Sequence, residues 1–216
     1  MMSQENSQLE IKEKTQQLLH GSLKHVRVAA LALALVPLAS VAITPSIAMG
    51  QGSGGVGGVT VPSPCDFVTS GGFVLTDGGK EANFGAHGGC KQNEFWGHLN
   101  YVDHTTGYHV DSVEITGYLS PFPGTSVRDV CGIATTNAAE AVTPVYFRIR
   151  LVDNGEPGVA DLFGIRLSNG YSVSPRLLGR GVKGGGNVQL HDPNPSTAFT
   201  GTPPDEFTMC HGVEAP

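Results

Sequence analysis

The run Val145-Tyr146-Phe147-Arg148-Ile149-Arg150-Leu151 places an apolar residue at every second position. A period of two is the signature of a strand that buries one face, because successive side chains leave the backbone on opposite sides. Val145, Phe147, Ile149 and Leu151 are therefore expected in a core, with Arg148 and Arg150 on a wet face. The stretch Leu162 to Leu167 repeats the pattern, with Phe163, Ile165 and Leu167 apolar and Arg166 opposite. The two runs are expected to pair through the loop Asp153 to Asp161, so that Arg148, Arg150 and Arg166 share an outer face. Such a cluster suits a carboxylate or sulfate ligand, and arginine stems also simply cover a solvated sheet.

Beyond the N-terminal leader no stretch carries an apolar stripe at helical spacing, and 30 Gly and 14 Pro in 216 residues cut the chain into short segments. β-prone runs fall at Phe73 to Leu75, Glu81 to His87, Glu94 to Val102, Tyr108 to Ile115, Val127 to Thr135, Val145 to Val152, Leu162 to Leu167 and Asn187 to His191. The turn signal Asn169-Gly170 introduces a further short strand at Tyr171 to Leu178. The expected fold is all-β: an antiparallel sandwich or barrel of about eight strands, held by disulfides.

Residues Val28 to Val36 read VAALALALV, behind Lys24 and Arg27 and ahead of Pro37 and small-residue tracts. A basic flank, a short apolar core and small residues define a secretory leader. Residues 1–48 are expected to be this signal peptide, with a long polar n-region and cleavage after Ala48 or after Ala42. The apolar core is shorter than a membrane span, so no stable span is expected after cleavage. Residues 49–64 read as a Gly-rich linker, residues 65–191 as the β module, and residues 192–216 as a Pro-rich tail tethered through Cys210.

Behind an export signal, the four cysteines Cys65, Cys90, Cys131 and Cys210 are expected to form two disulfides. No pair has the C-x-x-C spacing of a zinc site. Cys65 and Cys210 both lie in Pro-rich flanks, so the favoured pairing joins them and leaves Cys90 with Cys131. Three pairings are open from sequence.

Beyond residue 48, nine Lys and Arg stand against sixteen Asp and Glu, a balance of −7. That argues against nucleic acid, whose binding is driven by cationic side chains, and against an anionic membrane surface. Asp153, Asn154, Glu156 and Asp161 put oxygen donors in one glycine-containing loop, a set that suits calcium. The same residues build turns through bonds to their own backbone. No other cofactor is indicated. His87, His98, His104, His109 and His191 could converge on zinc, although His98 shares a strand face with Trp96 and Asn100. Trp96, Tyr101, Tyr108 and Tyr118 offer aromatic surface for stacking on sugar rings, and a domain of this size also needs aromatics inside. No nucleophile elbow, H-E-x-x-H, phosphate-cradling loop or dinucleotide fingerprint is present.

Several phrases taken together carry a resemblance: Cys65 to Phe73 (CDFVTSGGF), Gly88 to Lys91 (GGCK), Trp96 to His104 (WGHLNYVDH), Asp153 to Gly158 (DNGEPG) with Asp161, and Gly184 to His191 (GGGNVQLH). Over about residues 65–191 the chain resembles the post-COAP domain family, a β-rich module of secreted bacterial proteins. DNGEPG and GGGNVQLH are its most specific parts. The resemblance implies a secreted, noncatalytic accessory or surface module and brings no catalytic residues. The expected function is thus binding or structural support outside the cytoplasm, with a glycan or surface protein as partner. A hydrolase acting on polysaccharide through two carboxylates and a fibre or surface-layer subunit with a flat free edge strand are the alternatives.

Overall fold

The computed structural model describes residues 59–137, 144–194 and 199–216. The leader expected at residues 1–48 and most of the linker lie outside them. The described chain runs through β1 (Phe67–Leu75), β2 (Glu81–Lys91), β3 (Glu94–Asp103), β4 (Tyr108–Leu119), β5 (Val127–Thr136), β6 (Val145–Val152), β7 (Leu162–Leu167) and β8 (Ser172–Leu177). A 3-10 turn (Leu178–Gly181), β9 (Gly186–His191) and a short helix α1 (Glu206–Cys210) complete it. Among the described residues no helix is long and apolar enough to cross a membrane.

Nine strands make one sheet in the order β8-β7-β6-β5-β4-β3-β2-β1-β9, every neighbouring pair antiparallel. Sequential strands lie side by side because short turns join them; only β9 returns across the molecule, to the far side of β1. At about 4.8 Å per strand, a flat sheet would hold β2 and β7 about 24 Å apart. The rings of Phe84 on β2 and Phe163 on β7 instead stack at 3.9 Å between centroids. The sheet therefore curls into a half-barrel, and its concave side is the core. Val68, Val74, Phe84, Leu99, Tyr101, Val130, Phe147, Ile149, Leu151, Phe163 and Ile165 fill it. All-β antiparallel architecture with disulfides is as expected. One curled sheet takes the place of a two-layer sandwich, and the ninth strand is the short one after Asn169-Gly170.

The disulfides correct the favoured pairing: Cys65 joins Cys90 across 25 residues, and Cys131 joins Cys210 across 79. Strand parity explains this. Cys90 shares the concave face with Gly88, whose missing Cβ would meet Val130 and Tyr118 inside the barrel. Cys131 follows Val130 on β5 and so points out through the convex face, where Cys90 cannot reach it. The β1–β2 register sets Phe67 opposite Gly89, which brings Cys65 to Cys90 with their Cα atoms 5.7 Å apart.

The convex face of β5 to β7 is also not the wet surface expected. The C-terminal segment folds back over it, anchored by Cys131–Cys210 and by the Thr116 hydroxyl donating to the Met209 carbonyl at 2.6 Å. Arg148 is left 3% exposed and Asp129 fully buried.

Between β8 and β1 the half-barrel has a seam, filled by the 3-10 turn and the glycines ahead of β9. Phe73 N–H donates to the Gly185 carbonyl at 3.0 Å, and Leu178 N–H to the Asp161 carbonyl at 3.0 Å. Gly179 sits at φ 53°, and a Cβ there would overlap the Gly185 backbone. Both the left-handed backbone and the overlap penalise a side chain, so Gly179→Ala should destabilise by about 3 kcal/mol. Gly85→Ala, at a strand position with open space around its Cβ, is the neutral control in the same denaturant titration. Equal midpoints for the two variants would show that the seam is not packed backbone to backbone.

Two polar clusters occupy the barrel interior. Tyr118 donates to Asp66 at 2.6 Å, and Arg128 Nε donates to the same carboxylate at 3.0 Å. Elsewhere Tyr171 donates to Asp103 at 3.0 Å. That uses its single proton, so Tyr101 must donate to Tyr171 across their 2.6 Å contact. Burial raises all three tyrosine hydroxyls above their ordinary value, Tyr101 to about 12. A raised folded pKa gives stability that is whole below the unfolded value, near pH 10.0, and is lost as pH climbs through about 12. Alkaline titration should therefore show tyrosinate absorbance from these residues appearing together with loss of β circular dichroism. Ionisation of all five tyrosines with the fold intact would contradict it.

Candidate functional site

The antiparallel register of β9, β1, β2 and β3 lines up their convex-facing residues in rows. One row is His191, Phe67, Gly89 and Trp96; the next is Gln189, Thr69, His87 and His98. Phe67 stacks on His191 at 4.2 Å with the rings 5° from parallel, and Trp96 lies 5.8 Å from Phe67 and 5.9 Å from His87. Gly89 makes this possible: a Cβ there would meet Phe67 at 2.7 Å and the indole at 2.9 Å. The Thr69 hydroxyl lies 2.8 Å from His191 Nε2, and the Ser112 hydroxyl 3.0 Å from His98 Nδ1. These bonds fix the ring planes. Burial, and after it the neighbouring His98, hold His87 below the usual imidazole value. Trp96 nevertheless remains 39% exposed.

The ring shelf borders a cleft of about 370 Å³, lined by the Cys65–Cys90 disulfide, Asp66, Phe67, Lys91, Trp96 and Asn194. Its floor is rigid, because the disulfide ties the start of β1 to the end of β2 and Asp66 is held by Arg128 and Tyr118. With Asp66 neutralised by Arg128, the remaining charge at the rim is Lys91. Lys91 is exposed, and its ammonium makes no ion pair or hydrogen bond among the described residues.

The other residues singled out in the sequence lie elsewhere. Tyr101 is fully buried in the core and offers no surface for stacking. Arg148, Arg150 and Arg166 do share the convex face, with Arg148 and Arg166 directly opposite each other. Carboxylates of the chain itself already occupy them. Asp129 accepts from Arg148 Nε and Arg150 Nε, each at 2.8 Å; Glu206 accepts from Arg148 at 2.6 Å and Glu214 from Arg166 at 2.7 Å. Glu206 and Glu214 border one shallow cavity there, each tied to its arginine.

The loop Asp153 to Asp161 is likewise committed. Asp161 is fully buried and accepts Asn154 N–H at 2.8 Å and Val188 N–H at 2.7 Å. Asp153 accepts Gly155 N–H at 2.9 Å and Leu190 N–H at 2.8 Å, while Asn187 donates to Glu156 at 2.9 Å. DNGEPG and GGGNVQLH are thus two halves of one clasp, in which carboxylates cap the outward amides of edge strand β9. The flat free edge required of a fibre subunit is absent from β9. Among the described residues no three His, Cys, Asp or Glu group to hold a metal ion; His104 bonds Asn83 at 2.7 Å, apart from His191 and Thr69. With the loop oxygens already bonded to amides, millimolar calcium and excess chelator should give the same melting temperature. A shift of several degrees between them would restore the calcium reading.

The register brought together Phe67, His87, His191 and Lys91 around Trp96. The sequence points to Trp96, with Tyr101, Tyr108 and Tyr118, as stacking surface and to His87 and His191 as zinc candidates, while nothing local in it singles out Phe67 or Lys91. Compared with protein-family models, with curated proteins and with solved structures, the chain matches none.

Proposed function

We propose that the chain is an exported, noncatalytic binding module that meets its ligand on the convex face of β9, β1, β2 and β3. The observation that carries this reading is the exposed indole of Trp96, fixed beside Phe67 over Gly89 at the mouth of a cleft. A large apolar ring held in water costs solvation and recovers it when a ligand covers it. The carboxylates Asp66, Asp103, Asp129 and Asp161 are each taken up by arginine, tyrosine or backbone amides, which favours recognition over acid–base chemistry. Two disulfides fit an oxidising compartment, and so do the leader and the resemblance to post-COAP modules.

Two measurements test this. Expressed in bacteria with its own leader, the protein should be recovered outside the cytoplasm with an N-terminus at Met49 or Ile43; an intact leader in the cytoplasmic fraction contradicts export. On a glycan array the oxidised protein should bind at least one structure, and Trp96→Ala should lose that binding while melting as the parent does. Array binding that survives Trp96→Ala contradicts the assignment of this face.

A further inference from the structure

Resting on that reading of the face, we propose that the cleft takes an acidic saccharide, with a sugar ring against Trp96 and Phe67 and its carboxylate on Lys91. The cleft volume of about 370 Å³ lies in the range of small-ligand sites. Its two aromatic rings are presented by different strands, 5.8 Å apart and 45° from parallel. That forms an angled shelf for the C–H face of a ring, while the hydroxyls of the ring stay in water. Stacking alone would accept any sugar.

Charge narrows the class. The chain as a whole is acidic, at −6, yet this cleft is not. Asp66, its carboxylate, is bonded to Arg128 and Tyr118, which leaves the Lys91 ammonium as the free charge on the rim. Glu94 stands opposite Lys91 in the β2–β3 register but forms no ion pair with it. An anion arriving with the sugar would find a cation that no carboxylate among the described residues bonds. Neutral sugars would leave that interaction unused.

Trp96 is the chain's single tryptophan, so emission excited selectively from tryptophan, apart from the five tyrosines, reports this cleft. The full chain, with both disulfides formed, is titrated with oligogalacturonate, hyaluronan and alginate oligosaccharides, and with the methyl-esterified, uncharged form of each. At least one acidic oligomer should change Trp96 emission saturably and bind about five-fold more tightly than its ester, the effect of one exposed ion pair. Lys91→Gln should abolish that preference and leave the ester's affinity unchanged, with the same melting temperature as the parent. Calorimetry on Trp96→Ala should show binding of both forms lost. Equal affinity for acid and ester, or a preference that survives Lys91→Gln, overturns the acidic class while leaving the ligand face in place. Absence of any response to acids overturns the proposal as well. If Trp96-dependent glycan binding is then also missing from the array, the ligand face falls with it.

Discussion

Replacing Cys131 and Cys210 together by serine is expected to lower stability by about 4.5 kcal/mol, the loop-entropy value for the 79-residue span they close. The loss reaches beyond chain entropy. Without the bridge, the segment carrying α1 can leave the convex face and take Glu206 and Glu214 with it. Arg148 and Arg166, opposite each other in register, would then face one another without those carboxylates. The Cys65–Cys90 bridge closes only 25 residues, for which the same relation gives about 3.5 kcal/mol. Denaturant titration of both double variants should therefore rank them in that order. A change of under about 1 kcal/mol for the Cys131/Cys210 variant would mean that the C-terminal segment contributes little to the fold.

Asp129→Asn should cost about 3 to 5 kcal/mol, the range for removing one member of a buried ion cluster. Asp129 is fully buried on β5 and accepts from both guanidinium groups of the neighbouring strand. Its bond to Arg150, outweighing burial, raises that guanidinium above its ordinary value. Asparagine keeps the shape but removes the charge, leaving Arg148 with Glu206 and Arg150 without its paired carboxylate. Because Glu206 arrives with the C-terminal segment, this substitution and the loss of Cys131–Cys210 touch the same network. Their effects should not add: the triple variant should lose less than the sum of the parts. Additivity, or a cost below about 1 kcal/mol for Asp129→Asn in thermal and denaturant melts, would contradict the network.

Most strands were legible because alternation and turn residues act locally. Val145 to Leu151 and Leu162 to Leu167 pair in the register their pattern implies. The same alternation places Trp96, His98 and Asn100 on one face of β3 and Leu99 and Tyr101 on the other, so the burial of Tyr101 was readable from parity alone. Parity likewise separates Cys90 from Cys131, once it is known which residues of β2 and β5 face inward. What alternation cannot supply is the content of the other face. Arg148 reads as a wet position until a segment nearly sixty residues later, with Glu206 and Cys210, is laid over it. The ring shelf depends on long-range register in one member. Phe67, Gly89 and Trp96 share a row through the β1–β2 and β2–β3 hairpins, and His191 joins it only because β9 returns to pair with β1. The GGGNVQLH phrase makes that return possible, and Asp153 and Asp161 hold it in place.

Peptide mapping of the unreduced protein by mass spectrometry tests this account most directly, because each disulfide reports which faces and segments meet. Linked peptides joining Cys65 to Cys90 and Cys131 to Cys210 are the predicted result. Peptides joining Cys65 to Cys210 or Cys90 to Cys131, or four free thiols, would contradict it.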